Sequence, residues 1–275
     1  MALLYGKQIA SEMLTETAHF IHEQHLHPGL AVILIGNDAG SEIYVRLKSE
    51  AAERIGIRFS LYRFSKEDNP RVVRDLILRL NQEREVHGII LQLPLPAGWD
   101  PDEFITLINP RKDADGFHPE VIKEYVAGNS HLTPVLPGAI EALITSTGAL
   151  LQGERAVVLV NSDLFGRVIQ QSLSTLGLQV TIVKSLEVAE HRSLLSDARV
   201  VVSVCGRPGL VNLSDLRSDA IVVDAGITRV NDRVQGDISG DKDRYTGWVT
   251  PIPGGVGPLT IACLLRRVAE IAARE

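Results

Sequence analysis

Apolar and polar positions along the chain keep switching between two periods, and the switching predicts strands and helices in alternation. Between Gly6 and about Gln24 the apolar residues Ile9, Met13, Leu14, Ala18 and Ile21 recur at helical intervals, which predicts a first amphipathic helix. The run GLAVILIG at 29–36 is apolar without interruption and of strand length, so it reads as a buried strand. The stretch at 36–56 then reads as a helix, and IRFSLYRF at 57–64 as a second strand. A helix follows behind Asn69 as cap and Pro70 in its first turn. HGIILQLPLP at 87–96 is another buried strand, and its two closing prolines end any further ladder and hold the chain extended.

After a short helix beginning near Asp100, residues 111–119 (RKDADGFHP) are rich in turn formers and read as a loop. The second half repeats strand and helix more regularly. RAVVLV, a helix from about Leu164 to Leu176, LQVTIV, a helix near Val188, RVVVSV and IVVDAGI at 221–227 form the pattern of a parallel, doubly wound α/β sheet. The tail places the glycine- and proline-dense PIPGGVGP directly before an apolar-periodic helix, with Pro258 able to occupy its first turn.

Composition narrows the class. A chain of 275 residues, 45% hydrophobic and 23% charged, has enough apolar surface for one large or two modest cores. A net charge of -6 argues against a nucleic-acid surface, which needs clustered Lys and Arg. The longest apolar runs are strand-sized, so no membrane segment is expected. MALLYGKQIA lacks the basic and long apolar stretches of a secretory signal, and the expected location is the cytoplasm. Cys205 and Cys263 have neither disulfide nor metal-ligand spacing and read as buried thiols. His19, His22, His25 and His27 walk around the first helix without a completing ligand, which reads as a solvated face and no metal site.

Candidate chemistry gathers at strand ends. Tyr44 and Lys48 stand four residues apart on one predicted helix, so their polar tips can reach one small molecule. That helix starts at a strand's carboxyl end, where open α/β sheets bind ligands, although an ordinary exposed turn would show the same pair. Gln92 closes the strand at 87–96, while Asp113 and Asp115 fall in the following loop, where carboxylates are commonly just solvated. The loop before the last helix leaves backbone N–H groups bare for a carbonyl, carboxylate or phosphate, or is a plain turn.

YVRLK, GIILQLPLP, KDADGFHP and TPIPGGVGPLT occur here in one order, and together they resemble the bifunctional methylenetetrahydrofolate dehydrogenase/cyclohydrolase family. The resemblance covers nearly the whole chain. It implies a Rossmann-type nucleotide-binding domain (138–257) inserted into an α/β folate-binding, catalytic domain (1–137 with 258–275), an active site in the cleft, and a homodimer. The implied reaction moves a hydride from 5,10-methylenetetrahydrofolate to NADP, with NAD possible, and water then opens the methenyl cation to 10-formyltetrahydrofolate. By position Tyr44, Lys48, Gln92 and Asp115 match the family's active-site residues. Tyr44 would bound the substrate rings, Asp115 would accept from the pterin, and Lys48, oriented by Gln92, would handle protons. Leu93, Pro253, Gly254, Gly255 and Pro258 are implied substrate contacts.

The inserted domain departs from the family. Val160, Asn161 and Ser162 stand where a glycine-arginine-serine triplet is usual, Phe165, Gly166, Arg167 and Val168 where valine-glycine-lysine-proline is, and Lys184 and Ser185 where histidine-serine is. Leu136 replaces a typical threonine. The resemblance makes Val160, Asn161, Ser162, Arg167, Lys184, Ser185 and Ile227 the cofactor contacts, and puts Asn161 where an arginine would pair with the 2′-phosphate. Two other readings remain at this level. A cyclohydrolase-only enzyme or a non-redox folate-binding paralogue would keep the pterin pocket and lose the nucleotide chemistry. A short-chain dehydrogenase shares the Tyr-x-x-x-Lys spacing, but it needs a glycine-rich turn ahead of the pair, and this chain lacks any GxGxxG.

Overall fold

The computed structural model describes residues 2–231 and 233–274. They divide into two compact units, one of Ser11–Val135 with Ile261–Glu275, the other of Met1–Ala10 with Leu136–Thr260. The sequence reading keeps the first residues with the folate-binding domain. They group instead with the second unit because β1 (Ala2–Leu3) pairs in parallel with β13 (Trp248–Val249), a two-residue contact too short to leave a periodic signal.

In the first unit, α1 (Gly6–Glu23) leads into a three-stranded parallel sheet of β2 (Gly29–Ile35), β3 (Arg58–Phe64) and β4 (Gly88–Gln92), in the order β3-β2-β4. Every residue of β2 is buried, as its uninterrupted apolar run requires of a central strand covered on both faces. Ala31, Ile33 and Ile35 share one face, and Val73, Leu76, Ile77 and Leu80 of α3 (Pro70–Gln82) belong to the same core cluster. Each large side chain buried this way contributes roughly 1.5–3 kcal/mol. Asn69 caps α3, its Oδ1 accepting from the Arg71 N–H at 3.0 Å, with Pro70 at the first position. Then come α2 (Ala39–Arg54) between β2 and β3, the short α4 (Pro101–Ile105), α5 (Pro119–Val126), and the end of α9 (Val256–Ala272).

The second unit opens its α/β part with α6 (Val135–Ser146) and then β5 (Arg155–Val160), α7 (Asp163–Thr175), β6 (Gln179–Lys184), α8 (Arg192–Asp197), β7 (Val200–Ser203) and β9 (Ile221–Asp224). Its six-stranded sheet has the order β1-β13-β9-β7-β5-β6, with all pairings parallel. After β1, which takes one edge, the chain lays down β5, adds β6 on one side, then moves to β7 on the other, so the winding reverses between β5 and β7. Small additions flank it: β8 (Val211–Asn212) pairs with β12 (Ile238–Ser239), and β10 (Thr228–Val230) forms a hairpin with β11 (Arg233–Gln235). The helix expected near Val188 is a 3-10 turn, Val188–His191, running into α8. Cys205 is buried as expected, whereas Cys263 is only partly covered.

Candidate active site

At the carboxyl end of β2, Gly36 turns the chain with φ of 84° and Asp38 caps α2, its Oδ2 accepting from the Ser41 N–H at 2.7 Å. The cap fixes where α2 begins and so places Tyr44 and Lys48 over the sheet's edge. β4 lies beside β2 with Leu34 opposite Gln92, which puts Gln92 at the same edge. The Lys48 Nζ donates to the Gln92 Oε1 at 2.9 Å, and the Gln92 Nε2 donates to the Leu93 carbonyl at 2.8 Å. That carbonyl also accepts from the Ser41 hydroxyl at 3.3 Å, which joins the first turn of α2 to the end of β4. Leu93 is itself exposed, and its bond to Pro94 is cis.

The loop after β4 supplies the remaining group. Ala114 N donates to the Ile89 carbonyl at 3.3 Å, and Asp113 bridges to Ile89 in parallel, so the loop runs along β4. Asp113 is buried and saturated, accepting from Gly116 N at 3.0 Å and His118 N at 2.7 Å. Asp115 differs: its carboxylate accepts no hydrogen bond from the described residues and interacts with Lys48 through charge. Burial raises the Asp115 carboxyl above the usual range, opposed by Lys48, with Asp113 adding to the rise and Arg267 to the opposition. Burial likewise lowers the Lys48 amine, and the Asp115 charge opposes that. Tyr44 is half-buried, and burial raises its phenol. The first unit thus holds a desolvated amine bonded to Gln92, the Asp115 carboxylate in charge interaction with that amine, and the Tyr44 phenol one turn away from Lys48 on α2. Together they can bound a ring, move a proton and accept from an N–H pair.

Arg267 anchors this loop from α9, and the reading of site residues did not find it. It is 3% exposed, and its guanidinium donates to the carbonyls of Leu132 at 2.7 Å, Thr133 at 3.3 Å and Asp113 at 3.3 Å. A signal existed, since Arg267 falls on the apolar stripe with Leu264 and Ile271 while its neighbour Arg266 faces solvent and pairs with Glu270.

In the second unit the predicted cofactor residues meet at the carboxyl ends of β5 and β6. The Val160 side chain is fully buried, so it presents only backbone, and its carbonyl accepts from Ser185 N at 2.9 Å. Asn161 is exposed, yet both ends of its amide are bonded: its Nδ2 donates to the Cys205 carbonyl and its Oδ1 accepts from the Ser185 hydroxyl, both at 2.8 Å. Ser162 caps α7, accepting from Phe165 N at 3.2 Å. The Lys184 ammonium pairs with Asp163 at 2.9 Å, which raises it further, while Arg167 and Ile227 are exposed. Gly166 lets α7 press on the sheet, since a Cβ there would meet Ile182 Cγ2 at 2.7 Å. A strand, a tight turn and a closely packed helix whose amino end stands at the sheet's edge suit a dinucleotide's phosphates. Further along the unit, Gly254 takes φ of 109° and its carbonyl accepts from Gly6 N at 2.9 Å. Gly255 has no space for a side chain, with Thr250 Cβ at 2.7 Å, and Pro258 sits in the first turn of α9.

Two family models match the chain. Residues 4–115 fit the catalytic domain of tetrahydrofolate dehydrogenase/cyclohydrolase, and residues 134–275 fit its NAD(P)-binding domain. The chain belongs to the tetrahydrofolate dehydrogenase/cyclohydrolase family. A curated relative, bifunctional protein FolD 2 of Pseudomonas syringae, is 37% identical and is covered over 93% of its length by 99% of this chain. The bifunctional methylenetetrahydrofolate dehydrogenase/cyclohydrolase of Campylobacter jejuni is similar with a TM-score of 0.89 at 30% identity, covering 100% of this chain and 99% of that one. A Trypanosoma brucei enzyme of the same kind, solved with NADP and an inhibitor, gives 0.91 at 29% identity over 100% of this chain and 98% of its own.

Membership in the tetrahydrofolate dehydrogenase/cyclohydrolase family leaves one part of the nucleotide edge unread by sequence. Arg207, just beyond β7, donates from its Nη1 to the Ser185 hydroxyl at 3.3 Å, and its own N–H donates to the Asp237 Oδ1 at 2.6 Å. Asp237 is fully buried and also accepts from the Ser203 hydroxyl at 2.6 Å and Cys205 N at 2.8 Å. No periodicity marks either residue, because both act from irregular loops.

Proposed function

We propose that this chain oxidises 5,10-methylenetetrahydrofolate to the 5,10-methenyl compound with NADP, and hydrolyses that product to 10-formyltetrahydrofolate. NADP, when bound, accepts the hydride that leaves the one-carbon bridge; NAD can serve the same chemistry. The observation that carries the reading is the Lys48–Gln92 hydrogen bond together with the charge interaction of Lys48 with Asp115, whose carboxylate accepts no hydrogen bond from the described residues. Asp115 accepts from the amino group and ring nitrogen of the pterin, and Tyr44 lies against the substrate rings. Gln92 orients the Lys48 amine, which burial brings closer to neutrality. In the hydrolytic step that amine takes a proton from the attacking water as its oxygen bonds the methenyl carbon. The bond from that carbon to N5 then breaks, N5 ends protonated, and one proton is released overall.

The assay follows both steps in one cuvette, reading reduced cofactor and methenyl absorbance separately after addition of the methylene substrate. Reduction followed by cofactor-independent loss of methenyl absorbance is the expected result. Hydrolysis of added methenyl substrate with no cofactor reduction would leave a cyclohydrolase alone, and neither step would overturn the reading. We further infer a cytoplasmic enzyme that forms a homodimer, and light scattering of the purified chain tests its mass. Among the described residues no helix is long and apolar enough to cross a membrane.

A further inference from the structure

A doubly wound sheet binds its ligand outside the carboxyl ends of the strands where the winding reverses. Here the reversal falls between β5 and β7, and Asn161 spans that gap by donating to the Cys205 carbonyl. In such folds the chain roughly 20 residues beyond the first turn, at the end of the second strand, faces the adenosine ribose, and an arginine nearby accommodates a 2′-phosphate. Ser185 occupies that place at the end of β6.

The donors at this edge are accounted for one by one. The single hydroxyl proton of Ser185 is committed to the Asn161 Oδ1, so the oxygen turns its lone pairs toward Arg207. The Asn161 amide gives one bond to the Cys205 carbonyl and receives one from Ser185, and turning it outward would break both. The Lys184 ammonium already faces the Asp163 carboxylate. Arg167, in the second turn of α7, bonds to none of these groups. Arg207 remains. Its guanidinium is exposed, forms no ion pair among the described residues, and spends one N–H on a neutral bond at 3.3 Å. Its backbone is fixed by Asp237, and the preceding Gly206 carbonyl accepts from the Thr228 hydroxyl at 2.8 Å.

We propose that Arg207 is the residue that distinguishes NADP from NAD, its guanidinium binding the 2′-phosphate, with Asn161 and Ser185 as the positioning pair that holds it at the end of β6. The inference rests on the second unit's binding NAD(P), and it moves the choice of cofactor away from Asn161. A phosphate oxygen replaces a long neutral acceptor by a charge-assisted, bidentate one, the exchange that favours arginine for this task.

The test is calorimetric titration of the full chain with NADP, NAD, 2′,5′-ADP and 5′-AMP, in the wild type and in Arg207→Ala, Arg207→Lys, Arg167→Ala and Asn161→Arg. Arg207→Ala is expected to weaken NADP and 2′,5′-ADP by about ten- to a hundredfold while NAD and 5′-AMP change by about twofold or less. Arg207→Lys is expected to recover part of the loss, which also shows that the site is folded, and Arg167→Ala to change the ratio by less than Arg207→Ala does. An unchanged NADP-to-NAD ratio in Arg207→Ala overturns the assignment, as does a wild type that does not prefer the 2′-phosphorylated ligands. If the wild type binds none of the four, the nucleotide-binding reading itself falls and this inference with it.

Discussion

The folate-side cluster in the first unit and the nucleotide edge in the second use the same residue types in opposite ways. Around β4 the protein leaves reactive groups unspent: Asp115 accepts no hydrogen bond from the described residues, and the buried Lys48 amine has a single neutral partner, Gln92. At β5 and β6 the polar side chains are spent on one another, Asn161 with Ser185 and Cys205, and Lys184 with Asp163. A polar group held by protein partners serves architecture, while Asp115, its charge partly offset by Lys48 and Arg267, keeps its carboxylate lone pairs available to a ligand. Asp113 and Asp115 make the same contrast within one loop, since Asp113 is saturated by two backbone N–H groups.

The largest effect expected from breaking this contrast is at Lys48. Lys48→Met keeps the bulk and removes the amine, and hydrolysis of methenyltetrahydrofolate should fall by about 10²- to 10⁴-fold, the usual range for a general acid–base group. Folate binding, read by fluorescence quenching, should be largely retained. Turnover near that of the wild type would remove Lys48 from the mechanism.

Next in size is the pair of aspartates. Asp115→Ala should weaken folate binding by about ten- to a hundredfold with little change in stability, because a charge-assisted bond to the ligand is lost. Asp113→Ala should do the reverse, lowering stability by about 1–3 kcal/mol by leaving two backbone donors unpaired. Measured side by side by ligand titration and denaturant melts, equal behaviour of the two would erase the distinction drawn between them.

The two regions were unequally legible in the sequence. Tyr44, Lys48, Gln92 and Asp115 stand beside strands and helices whose periodicity is strong, so β2, α2 and β4 already place their chemistry at one edge. The nucleotide edge is built from loop residues, and loops carry no period. Asn161 could be placed at the end of β5, yet nothing in its neighbours tells whether its amide faces solvent or bonds to Cys205, which is 44 positions away in the chain. Arg207 and Asp237 were missed for the same reason. So were α6 and the two-residue strands β1, β8, β12 and β13, since α6 carries Pro137 and Gly138 in its first turn and pairs this short depend on long-range partners.

A smaller effect tests whether Asn161 is architectural. Asn161→Ala removes its bonds to Cys205 and Ser185, and a loss of about 1–3 kcal/mol in stability is expected. The NADP preference should weaken less than in Arg207→Ala, because the guanidinium stays and only its support is loosened. A collapse of the preference with stability intact would make Asn161 a direct ligand contact.

The smallest expected effect is a displacement in pH. Burial lowers the Lys48 amine, while the negative charge of Asp115 raises it and so works against burial. Replacing Asp115 by Asn removes the charge and keeps the shape, so the amine should fall further. If neutral Lys48 is the base in hydrolysis, the rate climbs with pH as the amine loses its proton, and the acid limb of the profile should lie at lower pH in Asp115→Asn than in the wild type. Burial raises Asp115 itself, so this coupling acts only over the range in which its carboxyl is ionised. The measurement is kcat for methenyl hydrolysis at saturating substrate against pH, corrected for the uncatalysed reaction, which keeps the weaker folate binding of the variant out of the comparison. A limb that stays in place shows that the Lys48 charge state does not govern the step. An alkaline limb that moves to lower pH shows instead that the working form is the ammonium, because lowering the amine then removes activity from the alkaline side, and the role of Lys48 would change from base to acid.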